Sequence, residues 1–379
     1  MKKKIVLIRN AHPFDFGGAE RFPTFLASEL LLHGFDPVVI SRSTSLRKFA
    51  HESNIKTIRG WWWRQQNWSG IRALLFPIYV LWQIILYLYY LILFIRLQPH
   101  IVHIQSKDDF IAGTFAAKTL RRNVVWTDHA DLKHVWKNLK VWYKNPVGKF
   151  VRIAANMADN ISVVSKSEKK LVLGCINYEV AISKKIHVIY NGAFDQYTPT
   201  EKNKTFTYVS TGRLVTDKGI RELIEAFTKI QQEFPDTQLQ LIGDGPERKK
   251  FESLAKSTRN IYFLGHKKNP LTYLASAQVF ALPTYHEGFS IALVEACMEE
   301  LAIIATNVGG NPEIIEDKKS GLLIPAKSVD ELYEAMKLLY RDKVLRETLS
   351  QNARKKYITS YDFKNIIKND FLPLYEGKL

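Results

Sequence analysis

Short apolar runs alternate with amphipathic segments along the first half of the chain. The predicted order is strand 5–8, helix 19–33, strand 37–40, a long apolar helix, strand 101–104, helix 111–120, strand 123–127, and strands 161–164 and 186–189. Apolar runs of this length indicate buried strands, and the 3.6-residue periodicity between them indicates helices. The alternation predicts a doubly wound α/β domain with a parallel sheet.

The second half repeats the alternation after a linker. Residues 191–199 have the composition of a linker, and strand 207–210 begins the next series of elements, which continues with helix 220–233, strand 238–242, helix 247–257, strand 261–263, a short helix from 271 and strand 279–282. Single cores stop growing beyond about 250 to 300 residues, so 379 residues predict two domains. We expect domains at 1–190 and 191–360, with a C-terminal helix at 361–379 that crosses back to the first domain.

The long apolar helix is unusual for a soluble α/β domain. Residues 74–95 contain no charge and follow several tryptophans. At ~1.5 Å per residue they would extend about 33 Å, enough to span a bilayer. However, strand 101–104 belongs in the same sheet as strands 5–8 and 37–40, and a crossing would put strands of one sheet on opposite sides. We therefore predict a membrane-associating helix at 73–95 that lies in the membrane plane or is partly embedded. A transmembrane helix and a plain core helix are the alternatives.

Positive charge is concentrated in the same half of the chain. Residues 1–200 hold 28 Lys and Arg against 13 Asp and Glu, whereas the remainder holds 26 against 24. Such an excess favours an anionic partner, either nucleic acid or an acidic membrane surface. Four lysines also recur at helical spacing beside tryptophans, at Lys133, Lys137, Lys140 and Lys144. This pattern favours anionic headgroups, with an ordinary solvated helix face as the alternative.

The cysteines and the N-terminus favour the cytosol. Cys175 and Cys297 lack metal-ligand or redox spacing, so a reducing compartment fits better than secretion. Three lysines precede the apolar run 5–8, which is too short for a signal peptide. We interpret this run as the first buried strand.

The segment 286–296 has the most informative chemistry. Pro283 ends strand 279–282, and Ser290 is a suitable cap for a helix that begins at Ile291. The free N–H groups at such a helix start can bind a phosphate. Glu287 would lie in the preceding loop, and Glu295, about one turn into the helix, could reach a ribose. A solvated loop position is the alternative for Glu287.

A second loop, 211–219, places cations after a strand and before a helix. Arg213 and Lys218 could neutralise a departing diphosphate, although each could also be an ordinary surface charge. Since no DxD motif has a convincing metal context, we expect metal-independent transfer and no metal site. Gly17 and Gly18, at a helix start, would allow close approach of a phosphate or sugar. The segment 243–245, Gly-Asp-Gly, is weaker evidence because it lacks the third glycine of the dinucleotide fingerprint.

His129 follows the buried strand 123–127. Its ring could point into a cleft between the domains, or it could be a hydrogen-bonded structural histidine. Gly-x-Ser-x-Gly is absent, and no hydrolase triad is evident.

These motifs together resemble the family-4 retaining glycosyltransferases of the GT-B fold, in which two Rossmann-like domains face a cleft. The resemblance covers nearly the whole chain and rests on Gly17-Gly18-Ala19-Glu20, His129, Ser162 to Ser165, Asn191-Gly192, Gly212-Arg213, Lys218-Gly219, Gly243 to Pro246, Glu287 to Ser290 and Glu295.

The resemblance implies a role for each matching residue. Arg213 and Lys218 would bind the donor diphosphate, Glu295 the ribose, and Glu287 the hydroxyls of the donor sugar. The backbone of Gly288, Phe289, Ser290 and Ile291 would bind phosphate and sugar, and His129 would contact the sugar or the leaving group. The first domain would be the acceptor side. The apolarity of 73–95 departs from a plain Rossmann helix and favours a lipid-borne acceptor.

Our hypothesis from the sequence is a peripheral membrane glycosyltransferase. It would move a hexose-type sugar from a UDP- or GDP-sugar to a lipid-linked or lipopolysaccharide-type glycan at the cytoplasmic face of the inner (plasma) membrane. Two alternatives belong to other classes. A basic nucleic-acid-binding protein would explain the charge and aromatic residues, and a membrane scaffold with a dead donor site would explain the apolar helix.

Overall fold

The chain forms two compact units. The computed structural model describes residues 2–10, 18–61, 76–129, 146–176 and 179–378. The first unit comprises Met1–Ile189 and Ile367–Leu379, and the second comprises Tyr190–Ile366. The division after Ile189 lies next to the predicted boundary at 190. The return segment begins at Ile367, later than the predicted position 361.

The first unit contains a parallel sheet that, in the described residues, has seven strands. They are β1 (Lys3–Ile8), β2 (Phe35–Ser41), β3 (Lys56–Arg59), β4 (Ile101–Ile104), β5 (Asn123–Asp128), β6 (Asn160–Val163) and β7 (Ile186–Val188). Their order in the sheet is β3-β2-β1-β4-β5-β6-β7. The direction of succession reverses between β1 and β4, and ligands of doubly wound sheets bind beyond the carboxyl ends of strands at such a reversal.

Helices connect these strands. They are α1 (Gly18–Leu32), α2 (Thr44–Glu52), α3 (Phe76–Leu97), α4 (Phe110–Thr119), α5 (Pro146–Met157), α6 (Lys166–Cys175) and α7 (Val180–Ser183). The sequence pattern did not predict α2 or β3. In α2 only Leu46 and Ala50 are buried, and no residue of the edge strand β3 is fully buried, so neither has a strong apolar pattern.

Helix α3 is buried along one stripe and exposed elsewhere. Its buried residues are spaced three or four apart, at Tyr79, Gln83, Leu86, Tyr90 and Phe94. Its remaining faces expose large apolar side chains, namely Ile78, Leu81, Ile84, Ile85, Leu88, Ile92 and Ile95. Among the described residues, α3 is the helix whose length and composition would allow a membrane crossing, and 28% of its most apolar window is buried.

The sheet argues against such a crossing. Strand β3 precedes α3 and β4 follows it, and both belong to the same sheet. A crossing would separate them by the thickness of the bilayer. The exposed apolar faces also differ from those of a plain core helix, so α3 is a surface helix with an apolar outer face.

The second unit is also doubly wound. Its strands are β8 (Phe206–Thr211), β9 (Thr237–Ile242), β10 (Ile261–Gly265), β11 (Val279–Leu282), β12 (Ala302–Thr306) and β13 (Leu322–Ile324), in the order β10-β9-β8-β11-β12-β13. Its helices are α8 (Ile220–Glu233), α9 (Arg248–Leu254), α10 (Leu271–Ser276), α11 (Ile291–Met298), α12 (Asn311–Ile314), α13 (Val329–Arg341), α14 (Lys343–Ser360) and α15 (Phe363–Ile366). The predicted class, two doubly wound α/β domains, is confirmed.

The return segment packs on the first unit through a buried histidine. A π-helical turn, Ile367–Phe371, leads into α16 (Leu372–Glu376). The hydroxyl of Tyr375 lies 2.7 Å from Nδ1 of His103, and Nε2 of the same ring lies 2.7 Å from Oγ1 of Thr127. Burial lowers the pKa of His103 to about 3, so the ring is neutral. This bridge joins the end of the chain to β4 and β5.

Tyr375→Phe should destabilise the first unit by about 1–3 kcal/mol, because a buried ring nitrogen loses its partner. All eight tryptophans lie between residues 61 and 142, so tryptophan fluorescence during urea unfolding follows the first unit. The control is Tyr262→Phe, whose side chain is 46% exposed. An equal effect of the two substitutions would contradict the role given to the His103 bridge.

Candidate functional site

Two loops of the second unit meet beyond neighbouring strands. Strands β8 and β11 pair in parallel, with Tyr208 opposite Val279, so their carboxyl ends lie at the same edge. The loop after β11 is tied to the loop after β8 at Asp217. The N–H of Tyr285 and the hydroxyl of Thr284 both donate to the Asp217 carbonyl, at 2.8 and 3.0 Å. The strand reversal thus brings the segment 211–219 into contact with the loop that leads into the segment 286–296.

An ion pair joins these loops. Nζ of Lys218 lies 2.5 Å from Oε2 of Glu287, and the side chains are 23% and 17% exposed. Within the described part of the chain, Oε1 of Glu287 accepts no hydrogen bond, and the exposed guanidinium of Arg213 has neither a hydrogen bond nor an ion pair. The site therefore holds one cation in place and leaves a second cation and a carboxylate oxygen open to a ligand.

Glycines allow the backbone to pack closely behind Glu287. Gly309 has φ +53°, and a Cβ there would lie 1.6 Å from the carbonyl oxygen of Glu287. The next N–H, of Gly310, donates to that oxygen at 3.3 Å. Gly219 has φ +66°, and a Cβ there would lie 2.0 Å from the Pro283 carbonyl oxygen. Since residues with a side chain rarely adopt these φ angles, glycine is required at both positions, 219 and 309.

The start of α11 completes this edge of the site. The hydroxyl of Ser290 accepts the N–H of Leu293 at 3.3 Å, so the predicted cap is confirmed. The ring of Phe289 is buried and stacks on Tyr190 with centroids 5.3 Å apart. Gly288 and Ile291 flank Phe289 and Ser290 in the chain. The first-turn N–H groups of an α-helix have no intrahelical acceptor, so those of Ile291 and Ala292, ahead of the capped Leu293, are available to an anion. Glu295, partly buried, lies one turn further along α11.

The Gly-Asp-Gly segment supports the cationic loop. Asp244 accepts the N–H of Leu214 through its carbonyl at 3.0 Å. Glu247 accepts the hydroxyl of Thr216 at 2.8 Å. A Cβ on Gly245 would lie 2.4 Å from the carbonyl oxygen of Leu214. The segment therefore positions the loop that contains Arg213 and Lys218, a role that its glycine spacing did not predict.

A buried carboxylate lies at the strand reversal of the first unit. Asp109 is fully buried and accepts hydrogen bonds from the amide of Asn10 at 3.0 and 3.1 Å and from the hydroxyl of Tyr90 at 2.7 Å. The hydroxyl of Ser106 donates to its other oxygen. Burial raises the pKa of Asp109 to about 7. The sequence pattern gave Asp109 no such role, because Asn10 is 99 residues away.

His129 follows β5 directly, at the same edge of the first sheet. The Phe22 ring meets it edge-on, with centroids 5.3 Å apart. Both ring nitrogens are shielded from solvent and have no hydrogen-bond partner in the described ranges. Burial and the charge of Arg9 hold the pKa of His129 well below its usual range. The imidazole is therefore neutral, and within the described residues its nitrogens are free to meet a ligand.

The predicted site residues divide between the units. The second unit contains Arg213, Lys218, Glu287, Gly288, Phe289, Ser290, Ile291 and Glu295, and an ion pair joins Lys218 to Glu287. The first unit contains His129 and also Gly18, which begins α1. Gly17 and the basic stretch from Lys133 to Lys144 lie outside the described residues.

Comparisons with known proteins identify the family of the chain. The family model for glycosyl transferases group 1 matches residues 194–356, and the model for glycosyltransferase family 4 matches residues 16–194. The capsular polysaccharide biosynthesis glycosyltransferase CapM of Staphylococcus aureus is 26% identical over 314 residues, which cover 76% of this chain and 81% of that protein.

A second relative and a solved structure extend the comparison. The UDP-Gal:alpha-D-GlcNAc-diphosphoundecaprenol alpha-1,3-galactosyltransferase of Escherichia coli is 25% identical over 287 residues, covering 71% of this chain and 72% of the relative. The structure of Anabaena HepE with UDP and glucose superposes with a TM-score of 0.75 at 18% identity, covering 99% of this chain and 100% of HepE. The structural likeness supports the fold.

Gly309→Ala should loosen the segment 284–290, because the new methyl group would collide with the backbone of Glu287. Hydrogen exchange of peptides that cover this segment measures the effect. Gly34→Ala is the matched control, since Gly34 has φ +81° with nothing within 4 Å of its added Cβ. The control should cost only about 1–2 kcal/mol of backbone strain, in the first unit. Unchanged exchange at 284–290 in Gly309→Ala would refute the supporting role of Gly309.

Proposed function

Because the chain belongs to the group 1 and family 4 glycosyltransferases, with two Rossmann-like domains of the GT-B type, we propose that it transfers a sugar from a UDP- or GDP-sugar to a lipid-linked or lipopolysaccharide-type glycan. The observation that carries the donor half of this proposal is the Lys218–Glu287 ion pair beside the start of α11.

The polar groups of the site match the parts of a nucleoside diphosphate sugar. Lys218 and Arg213 face the diphosphate, assisted by the first-turn N–H groups of α11. The free Oε1 of Glu287 accepts a hydroxyl of the donor sugar, and Glu295 accepts those of the ribose. The ion pair matters here because Glu287 holds the Lys218 ammonium in place before the ligand arrives, which lowers the cost of ordering a flexible side chain.

We further propose retention of configuration without a metal ion. The bond between C1 of the sugar and the diphosphate oxygen breaks, and its electron pair remains on that oxygen. The acceptor hydroxyl oxygen bonds to C1 on the same face, and its proton passes to the departing diphosphate. Lys218 and Arg213 supply two positive charges where negative charge develops, which is the work a divalent ion would otherwise do. His129 offers a neutral imidazole to the sugar or the leaving group.

The acceptor half of the proposal rests on the first unit. Helix α3 exposes apolar side chains along most of its length, and residues 1–200 have a large excess of basic residues. Such a surface suits an anionic bilayer, where apolar burial and basic residues both contribute to binding. The Escherichia coli relative is named for a diphosphoundecaprenol-linked acceptor, and CapM for capsular polysaccharide biosynthesis. We place the enzyme at the cytoplasmic face of the inner (plasma) membrane as a peripheral protein.

Lys218→Met and Glu287→Gln should each lower kcat for sugar transfer by about 100-fold or more, because each removes a group placed for the transition state. Activity is measured in EDTA with UDP- and GDP-sugars and membrane-extracted acceptor lipids, and EDTA itself should not reduce the rate. Lys229→Met is the matched control, since Lys229 pairs with Asp330 through exposed side chains of α8 and α13. Full activity of either site variant would remove its residue from the mechanism, and loss of activity in EDTA would contradict metal independence.

Leu81→Ser combined with Ile92→Ser should reduce sedimentation with anionic vesicles, because both side chains are more than half exposed on α3. The control pair, Val344→Ser and Ile358→Ser, removes exposed apolar side chains of α14 and should have no effect.

Neutralising Lys137, Lys140 and Lys144 should weaken the same binding to anionic vesicles most at low salt, at about 1 kcal/mol per lysine. Unchanged sedimentation of these variants would disprove membrane association through this surface.

A further inference from the structure

An apolar cavity lies beside α3 in the first unit. Its volume is about 350 Å³, within the range of roughly 300 to 1,000 Å³ that is typical of small-molecule sites. Helices α3, α4 and α5 form its walls, with Tyr79, Gln83 and Tyr87 on α3, Ile111 on α4 and Phe150 on α5. The cavity opens to the surface beside the exposed apolar side chain of Ile84, so an apolar ligand can reach it.

One polar atom in the wall lacks a partner. Gln83 lies on the buried stripe of α3 and is 8% exposed. Its Oε1 is shielded from solvent and accepts no hydrogen bond from the residues that the structure describes. An unpaired buried acceptor costs about 1–3 kcal/mol. A molecule with an apolar body and a hydroxyl or amide N–H would relieve that cost and fill the cavity.

The cavity adjoins the carboxyl edge of the first sheet. Ile111 lines the cavity, and Asp109, only two residues earlier, belongs to the buried network at the reversal between β1 and β4. The hydroxyl of Tyr90 reaches the same carboxylate from α3. A chain that occupied the cavity would therefore have its polar end close to the edge where doubly wound sheets bind ligands.

A cation next to a wall residue in the chain would suit a phosphorylated lipid. Lys149 precedes the wall residue Phe150, is exposed, and forms no ion pair within the described ranges. The positive charge complements a lipid phosphate, whereas the walls complement a hydrocarbon chain.

We infer that this cavity binds the hydrocarbon chain of the polyprenyl phosphate-type lipid that bears the acceptor glycan, which rests on the proposed function. The chain lies between α3, α4 and α5, a hydroxyl or amide N–H of the lipid-linked glycan donates to Gln83, and Lys149 faces the phosphate. The cavity would then select the acceptor by its lipid as well as by its sugar.

The test is photolabelling of the full-length protein in phosphatidylglycerol vesicles that contain undecaprenyl phosphate with a diazirine in its chain. Labelled peptides should map to the cavity-lining residues of 79–87 and 111–119. Ile84→Trp, which fills the cavity from α3, should reduce this labelling at least fivefold. Leu88→Trp is the matched control, because Leu88 is exposed on the same helix to a similar degree but does not line the cavity. It should label like the wild type.

A second probe and a binding assay make the result decisive. Phosphatidylglycerol with a diazirine in its acyl chain should label the exposed face of α3 but not the cavity. Equal labelling of the cavity by both probes, no labelling of the cavity, or equal effects of the two tryptophan substitutions would overturn the inference. UDP and GDP binding to the same preparations separates the two proposals. Donor binding without cavity labelling refutes this inference alone, whereas loss of both refutes the proposed function as well.

Discussion

The adjacency of β8 and β11 is the constraint on which the donor site depends. Because these parallel strands are neighbours at the reversal of strand order, the loops that follow them meet, and Lys218 reaches Glu287. Two glycines beside these loops make the contact possible. Gly219 and Gly309 let backbone approach backbone at distances that no side chain would permit. A single surface ion pair contributes little to stability. Its value here is positional, since it fixes a cation and a carboxylate at the start of a helix.

The elements around the donor site could largely be predicted from the sequence because their signals are local. Strand β11, the cap at Ser290 and helix α8 were placed correctly from an apolar run, a proline and a 3.6-residue period. The resemblance to family-4 glycosyltransferases added the residue roles. The same reasoning could not identify the residues that hold the loops of the site in place. Gly309 and Asp244 act through backbone contacts with distant segments, and nothing in their local sequence indicates those contacts.

The first unit shows where local patterns fail. Asp109 accepts hydrogen bonds from Asn10, Tyr90 and Ser106, which lie in three separate segments. Burial raises its pKa to about 7. Adjacent aspartates in the sequence gave no indication of this network. Helix α3 was recognised as apolar, but its division into a buried stripe and an exposed face needed the packing against α4. Through Tyr90 this helix links the apolar surface to the carboxyl edge of the sheet. The surface proposed to meet the membrane and the edge proposed to meet the acceptor are therefore parts of one packed assembly.

The central claim is that the second unit holds a nucleoside diphosphate by its own cations and helix start. Titration calorimetry of EDTA-treated protein with UDP, GDP and ADP tests it most directly. The account predicts binding of UDP or GDP at one site per chain, with an affinity that is unchanged when Mg²⁺ is restored. Binding that requires Mg²⁺ would contradict the assignment of the diphosphate charge to Lys218 and Arg213, and absence of binding by all three nucleotides would contradict the donor site itself.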